Sequence, residues 1–281
     1  MTDISQVDAS LIARKAEKKK RNNDRLHAVL RPLSIVLFFM IWFVATLINN
    51  QFVRFYNPIL IPTPLQVLSV GVEMAKSGQL WIDIAASMYR VVFGFLAAAI
   101  AGVGLGVLIS RSRLAESLLE PVLEMFRPVP SLAFLPLLVL WFGIGETSKI
   151  VFIAYATFFP IFTATRLGMR QIDGVLIRAA QSMGASRADI FRLVELPAAS
   201  PSILSGLRMG FGMAFFVIVA AEYIAADSGL GFTINNSRTY FDVPRMLLGA
   251  VVIGIIGFII NAVLTRLERR ILRWHPSYRG K

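Results

Sequence analysis

The side chains able to do chemistry are few, and most of them sit where charge is hard to keep. There is no cysteine, and the two histidines, His27 and His275, are isolated, so neither a thiolate nucleophile nor a Cys/His metal site can be assembled. What remains is a set of ionisable residues inside or beside long apolar runs: Arg90, Glu124, Arg127, Arg208 and Glu222. A charge in such a run must pair, reach water or face a polar cavity. Arg90 lies about two helical turns into its run; it either attracts an anionic group or, the favoured alternative, snorkels outward or pairs with Asp83 or another acid. Glu222 follows the apolar stretch 213–221 and calls for a structural ion pair first and gating of an external mouth second. Glu124 and Arg127 stand one helical step apart beside a proline-rich break, where they satisfy one another or line a pathway. Arg208 reads as a snorkelling residue. No catalytic residue and no metal are expected.

The elements that must hold these residues are membrane helices. Of 281 residues, 56% are hydrophobic and 16% charged, against roughly 25% charged in a soluble domain. The apolar residues gather in six blocks, 33–48, 84–109, 118–142, 150–169, 203–226 and 246–264, of the length that crosses a hydrocarbon core of about 30 Å. A formal charge of +12 raises the possibility of nucleic acid, but Lys and Arg alternate between loops instead of covering one face, which excludes it. They crowd residues 1–31, the fourth-to-fifth loop and the tail after 264, so the positive-inside rule places both termini and that loop in the cytoplasm. The expected organisation is a basic N-terminal segment, 1–31, drawn to anionic lipid head groups; a first helix and external segment, 32–83; a core, 84–270; and a cytoplasmic tail, 271–281.

Within these blocks some details stand out. Residues 57–64 carry three prolines and read as extended, followed by a short amphipathic helix over 64–76. Gly102 and Gly106, like Gly206 and Gly210, have the i, i+4 spacing that lets helix backbones approach. The third block is interrupted by Pro121, Pro128, Pro130 and Pro136, yet it must cross, because otherwise every later basic loop would lie outside. It is expected to break near residues 127–130. The aromatic residues Phe152, Tyr155, Phe158 and Phe159 read as packing, and residues 227–231, DSGLG, as an external turn.

The most informative stretch is the cytoplasmic loop 173–201, DGVLIRAAQSMGASRADIFRLVELPAASP. Asp173 can cap a helix carrying Val175, Leu176, Ala179, Ala180 and Met183, and Gly184 can end it in a left-handed conformation. Ser186 with Asp189 makes a capping-box-like start to a second helix, which Leu196-Pro197 is expected to stop. The product is a helix, tight turn and helix with small residues at its corner. It either receives another protein or packs back on the bundle.

This loop resembles the EAA coupling loop of ABC importer permeases: Ala179-Ala180, Gly184, Leu196-Pro197 and Pro201 stand at the family positions, while Arg178 replaces the family Glu. From about residue 56 onward the chain is similar to the branch that imports taurine, alkanesulfonates and nitrate. FRPVPSLAFLPLLVLWFGIGETSKI (126–150), IRAAQSMGASRADIF (177–191) and VAAEYIAADSGLGF (219–232) look most like its taurine-importing members. The resemblance implies an all-α, type I importer transmembrane fold of about six helices in the bacterial inner membrane, working as a homodimer with two cytoplasmic ATPases and an extracytoplasmic binding protein. It makes Ala179, Ala180, Gly184, Ala185 and Pro197 the ATPase-coupling residues, and Arg90, Glu124, Arg127 and Glu222 candidates for the substrate pathway. ATP and Mg would be used by the partner ATPase, since no G-x-x-x-x-G-K-[ST] loop is present and Gly143 to Lys149 has the wrong spacing. Taurine is the leading cargo, with nitrate or another small organic anion next. An ion-gradient carrier would more usually show an internal repeat, and a membrane enzyme would need a polar cluster.

Overall fold

The structure, a computed structural model, describes Leu30, Leu33, Ser34, residues 36–49, Asn57 and residues 60–274. The expected basic segment before Leu30, both histidines and the end of the tail lie outside the described residues. The described residues fall into two compact units, divided between Ser69 and Val70. In the first, the described stretch of α1 (Val36–Ile48) is apolar. The helix α2 (Pro64–Lys76) begins there in a capping box: the Thr63 N–H donates to the Gln66 side chain at 2.8 Å, and the Gln66 N–H donates back to the Thr63 hydroxyl at 3.3 Å.

The second unit is built on α3 (Gln79–Arg111), α6 (Glu146–Arg170), α9 (Leu196–Ala225) and α11 (Val243–Ile271). Four helices among the described residues are long and apolar enough to span a membrane, with α9 extended back to Arg187. The predicted third span is a bent pair, α4 (Arg113–Phe126) and α5 (Ser131–Phe142), with a 99° angle at the break. Among the described residues the six predicted blocks are therefore four whole helices, one bent pair and the apolar stretch of α1.

Pro128 and Pro130 make that elbow, since neither can donate to the carbonyl four residues back. The Phe126 carbonyl, deprived of the Pro130 donor, takes the Val129 N–H at 3.1 Å and the Tyr155 hydroxyl at 3.2 Å instead. Irregular backbone at membrane depth requires such substitutes.

Close packing of α3 on α6 fixes the topology. A Cβ placed on Gly94 would meet Ile153 at 2.7 Å, one on Gly102 would meet Ile161 at 3.0 Å, and one on Gly106 would meet Thr165 at 2.8 Å. The two sides advance in step, so the helices run parallel. The elbow must then return the chain to the side where α3 began, as the charge distribution requires. Gly206 and Gly210 of α9 meet Ala164 and Ile161 in the opposite order, so α9 is antiparallel to α6. Both glycine pairs noted in the sequence are thus contact surfaces, and both face α6. Val91, Phe152, Ile153, Ala214, Ile218 and Ala221 fill the core between these helices with Leu135 and Leu138 of the elbow. Ile100, Leu140, Phe216 and Phe258 stay exposed around the outside, as lipid-facing residues do.

Two expected loops contain helix. The outer loop 227–245 holds α10 (Leu230–Thr239), which has little apolar character; it is held by Ile234 lying against Gly249 of α11. The loop 143–149 ends early, because α6 starts at Glu146.

Gly94 and Gly104 test this packing. Gly94→Ala should destabilise the bundle by about 1–3 kcal/mol through overpacking, whereas Gly104→Ala, with no atom near the added methyl, should stabilise it by up to about 1 kcal/mol. Thermal unfolding midpoints in detergent should move in opposite directions.

Candidate functional site

Polar side chains gather at both ends of the bundle. At the outer end, Asp83, Ser87 and Arg90 occupy one face of α3 at i, i+4 and i+7. Arg90 is 3% exposed. Its guanidinium holds Glu146 at the start of α6 with two bonds, Nε at 2.6 Å and a terminal nitrogen at 2.8 Å. The other terminal nitrogen donates to Glu222 of α9 at 2.7 Å and to the Ser228 carbonyl at 2.6 Å. Lys149 adds a 3.0 Å contact to Glu146. Arg90 neither snorkels nor pairs with Asp83; it is saturated by acids from two other helices.

Glu222 is 1% exposed and accepts four hydrogen-bond contacts: from Arg90, from the Ser87 hydroxyl at 2.8 and 3.0 Å to its two oxygens, and from the Gly231 N–H at 2.7 Å. The Leu230 N–H donates to Ser87 at 2.8 Å, and the Gly229 N–H donates to Asp83 at 3.0 Å. These are the first N–H groups of α10, whose N-cap Gly229 offers no side chain. Its orphan donors are capped by α3 and α9, and the positive end of the helix dipole faces two carboxylates. Residues 227–231 are therefore more than a turn. Gly229 has φ 122°, and a Cβ there would lie 2.4 Å from the Glu222 carboxylate, so only glycine fits.

At the inner end the cytoplasmic loop folds as its local signals require. Asp173 accepts from the Val175 N–H at 2.8 Å and caps α7 (Gly174–Ser182). Gly184 takes φ 80°, and the Ala185 N–H reaches back to the Ala180 carbonyl at 3.1 Å, closing the helix end. Ser186 and Asp189 form a reciprocal capping box on α8 (Arg187–Asp189). Ala180 is buried beneath the turn, whereas Ala179 and Gly184 are exposed, and Ala185 and Pro197 are half-buried. Val175, Leu176 and Met183, the last 82% exposed, form the outward apolar face.

Leu196-Pro197 does not stop the second helix. A π-helical segment (Ile190–Glu195) joins α8 to α9, and Pro197 falls in the first turn of α9. Wider turns upstream admit the proline ring, and Pro197 omits one backbone donor without ending the helix. The second helix of the turn is thus continuous with a membrane span. Arg111 at the end of α3 clasps this segment, reaching Glu195 at 3.4 Å and lying 4.4 Å over the Phe191 ring. Arg208 likewise pairs with the buried Glu268 at 2.9 Å.

Glu124 and Arg127 belong to a larger array. Glu116, Glu120 and Glu124 line one face of α4 at four-residue spacing, opposite Arg166 and Arg170 of α6. Glu116 contacts Arg170, and Glu120 contacts Arg166 and, at 3.6 Å, Arg170. Glu124 lies 3.7 Å from Arg166 and 3.4 Å from Arg127. A cavity of about 150 Å³ opens beside Glu124, Arg127, Thr163 and Arg166. The structure does not bring this cleft together with Arg90 and Glu222.

Comparison with known proteins agrees with this architecture. A family model described as binding-protein-dependent transport system inner membrane component matches residues 91–273. The taurine transport system permease protein TauC of Escherichia coli (strain K12) is 41% identical over 245 residues, covering 85% of this chain and 87% of that protein. The putative aliphatic sulfonates transport permease protein SsuC of Bacillus subtilis (strain 168) is 36% identical over 220 residues, covering 78% and 80%. Among solved structures, an inward-facing conformation of the MetNI methionine ABC transporter superposes with a TM-score of 0.57 at 21% identity, over 69% of this chain and 95% of that one; the likeness is one of fold.

The outer cluster should behave as an energetic unit. Arg90→Met leaves Glu222 buried without its cation and should cost about 3–5 kcal/mol. Adding Glu222→Gln removes the stranded charge, so a double-mutant cycle on detergent unfolding should give a coupling of about 2 kcal/mol or more. Additive losses would contradict the pairing.

Proposed function

Because the chain belongs to the family of binding-protein-dependent transport system inner membrane components, we propose that its cargo is a small sulfonate, with taurine favoured. It is a multi-pass permease subunit of an ABC importer. Two copies work with two cytoplasmic ATPases, which use the ATP and Mg, and with an extracytoplasmic binding protein that delivers the cargo. Lipid is the surrounding partner, and nucleic acid is none. The permease itself contributes no catalytic group, no metal and no ATPase site. The Gly143 to Lys149 stretch leads into the first turn of α6 beside Arg90, at the end of the bundle away from the cytoplasmic loop.

One observation carries the coupling role: the exposed turn at Gly184 leads without a break through the π-helical segment into α9, which reaches Glu222 at the other end. A push on Met183, Ala179 and the Gly184 corner by a closing ATPase pair is passed along that rod. Ala180 and Ala185 hold the corner together, and Pro197 marks where it enters the membrane. ATP can shift the permease between inward- and outward-open states only by the difference in interaction free energy between them. Of the pathway candidates, Glu124 and Arg127 face the cleft that water can enter, while Arg90 and Glu222 close the outer end.

Substrate and coupling have separate tests. Proteoliposomes carrying this chain, its ATPase and its binding protein should take up labelled taurine, and excess nitrate should leave that uptake intact; nitrate uptake without taurine uptake would transfer the assignment to the nearest alternative. Gly184→Val forces a β-branched residue into a left-handed conformation. It should leave membrane insertion unchanged and reduce ATP-driven uptake at least tenfold.

A further inference from the structure

The cleft between α4 and α6 differs from the outer cluster in how its donors are used. Arg166 lies one turn in from Arg170, about 6 Å toward the membrane interior, and Phe162 lies about 12 Å in. Charges at that depth do not face lipid. Yet Glu124 and Arg127 are 43% and 50% exposed at their side chains, so no other described residue of this chain covers the face they share.

Arg90 has bonds of 2.6 to 2.8 Å to every partner, whereas Arg127 meets Glu124 only at 3.4 Å. The Nε of Arg166 is buried without any partner among the described residues, beside the cavity it helps to line. A buried donor left unpaired points to an absent acceptor. Two guanidinium groups with donors to spare and one loosely held carboxylate therefore surround a small cavity.

Charge narrows the ligand. Arg127, Arg166 and Arg170 balance Glu116, Glu120 and Glu124, so the closed cleft is neutral. A simple anion would bring an uncompensated charge to within reach of Glu124, which repels it. A zwitterion with an oxyanion and an ammonium on a short linker adds no net charge. We propose that this cleft is a transient binding site for a zwitterionic amino sulfonate, with Arg127 and Arg166 gripping the sulfonate and Glu124 the ammonium. The proposal rests on the taurine assignment above. Phe162 and Leu167 supply apolar cover for the methylenes, and Thr163 supplies a further hydroxyl. Entry exchanges the long Arg127–Glu124 and Arg166–Glu124 contacts for shorter ones to the ligand, and departure restores them.

The test is titration of the purified permease–ATPase complex, without binding protein, with taurine and with ethanesulfonate, which lacks the ammonium, followed by saturation-transfer NMR. Taurine should bind saturably and at least tenfold more tightly than ethanesulfonate. Glu124→Gln should weaken taurine about tenfold while leaving ethanesulfonate binding unchanged or stronger, and Glu124→Asp should recover most of the loss. A general fault in folding would weaken both ligands alike and would not be rescued by Asp. Equal weakening of both ligands, or no saturable taurine binding by a wild-type complex that imports taurine in proteoliposomes, overturns the cleft and leaves the importer's cargo assigned. Absence of taurine uptake by the wild type overturns both.

Discussion

A charge carried into hydrocarbon must find its counter-charge inside the protein, and the placement of the helices follows from that requirement. Arg90 cannot remain on α3 unless α6 brings Glu146 and α9 brings Glu222 to it, so one guanidinium fixes three helices at their outer ends. Glu222, with Asp83 and the Ser87 hydroxyl, also receives the first N–H groups of α10. Removing an ion from water is so unfavourable that alternatives to this arrangement are destabilised more than the arrangement itself is stabilised. The cluster therefore specifies a geometry more than it adds strength.

The inner end is organised by a looser version of the same rule. Arg111 meets Glu195 at the membrane surface, where water and a 4.4 Å aromatic contact share the burden. The α4–α6 ladder matches three acids with three arginines but leaves its last rung long. Close pairing at Arg90 and Arg208, against long contacts at Glu124, suits a device in which the scaffold keeps its shape while one cleft changes partners.

Much of this was legible in the sequence where the governing interactions are local. Asp173, Gly184 and the Ser186/Asp189 pair act over two to five residues, so the cytoplasmic turn could be drawn before its coordinates were known. Hydropathy found the middles of α3, α6, α9 and α11 but clipped their ends, because Asp83, Glu146 and Lys149 look like loop residues until their partners are known. Arg90 and Glu146 are far apart along the chain, and no spacing joins them. The α4 ladder was within reach: acids at 116, 120 and 124 and arginines at 166 and 170 share a four-residue period of opposite sign. Pro197 misled because a proline ends a helix in α geometry, and the wider turns ahead of it leave no mark in the residue types. α10 has too little apolar surface to announce itself, and it owes its start to side chains on other helices.

The buried Arg90 and the clasping Arg111 lie on one unbroken helix, about 32 Å apart along its axis. That separation is a ruler. It matches the hydrocarbon thickness of an ordinary bilayer, and neither end can slide, since one is locked by carboxylates and the other is tied to the coupling segment. Thicker or thinner lipid must then be met by tilting the whole bundle or by deforming the bilayer around it, at a fraction of a kcal/mol per ångström of mismatch. Membrane thickness thereby acts on the angle between this permease and whatever docks beneath it, independently of any ligand.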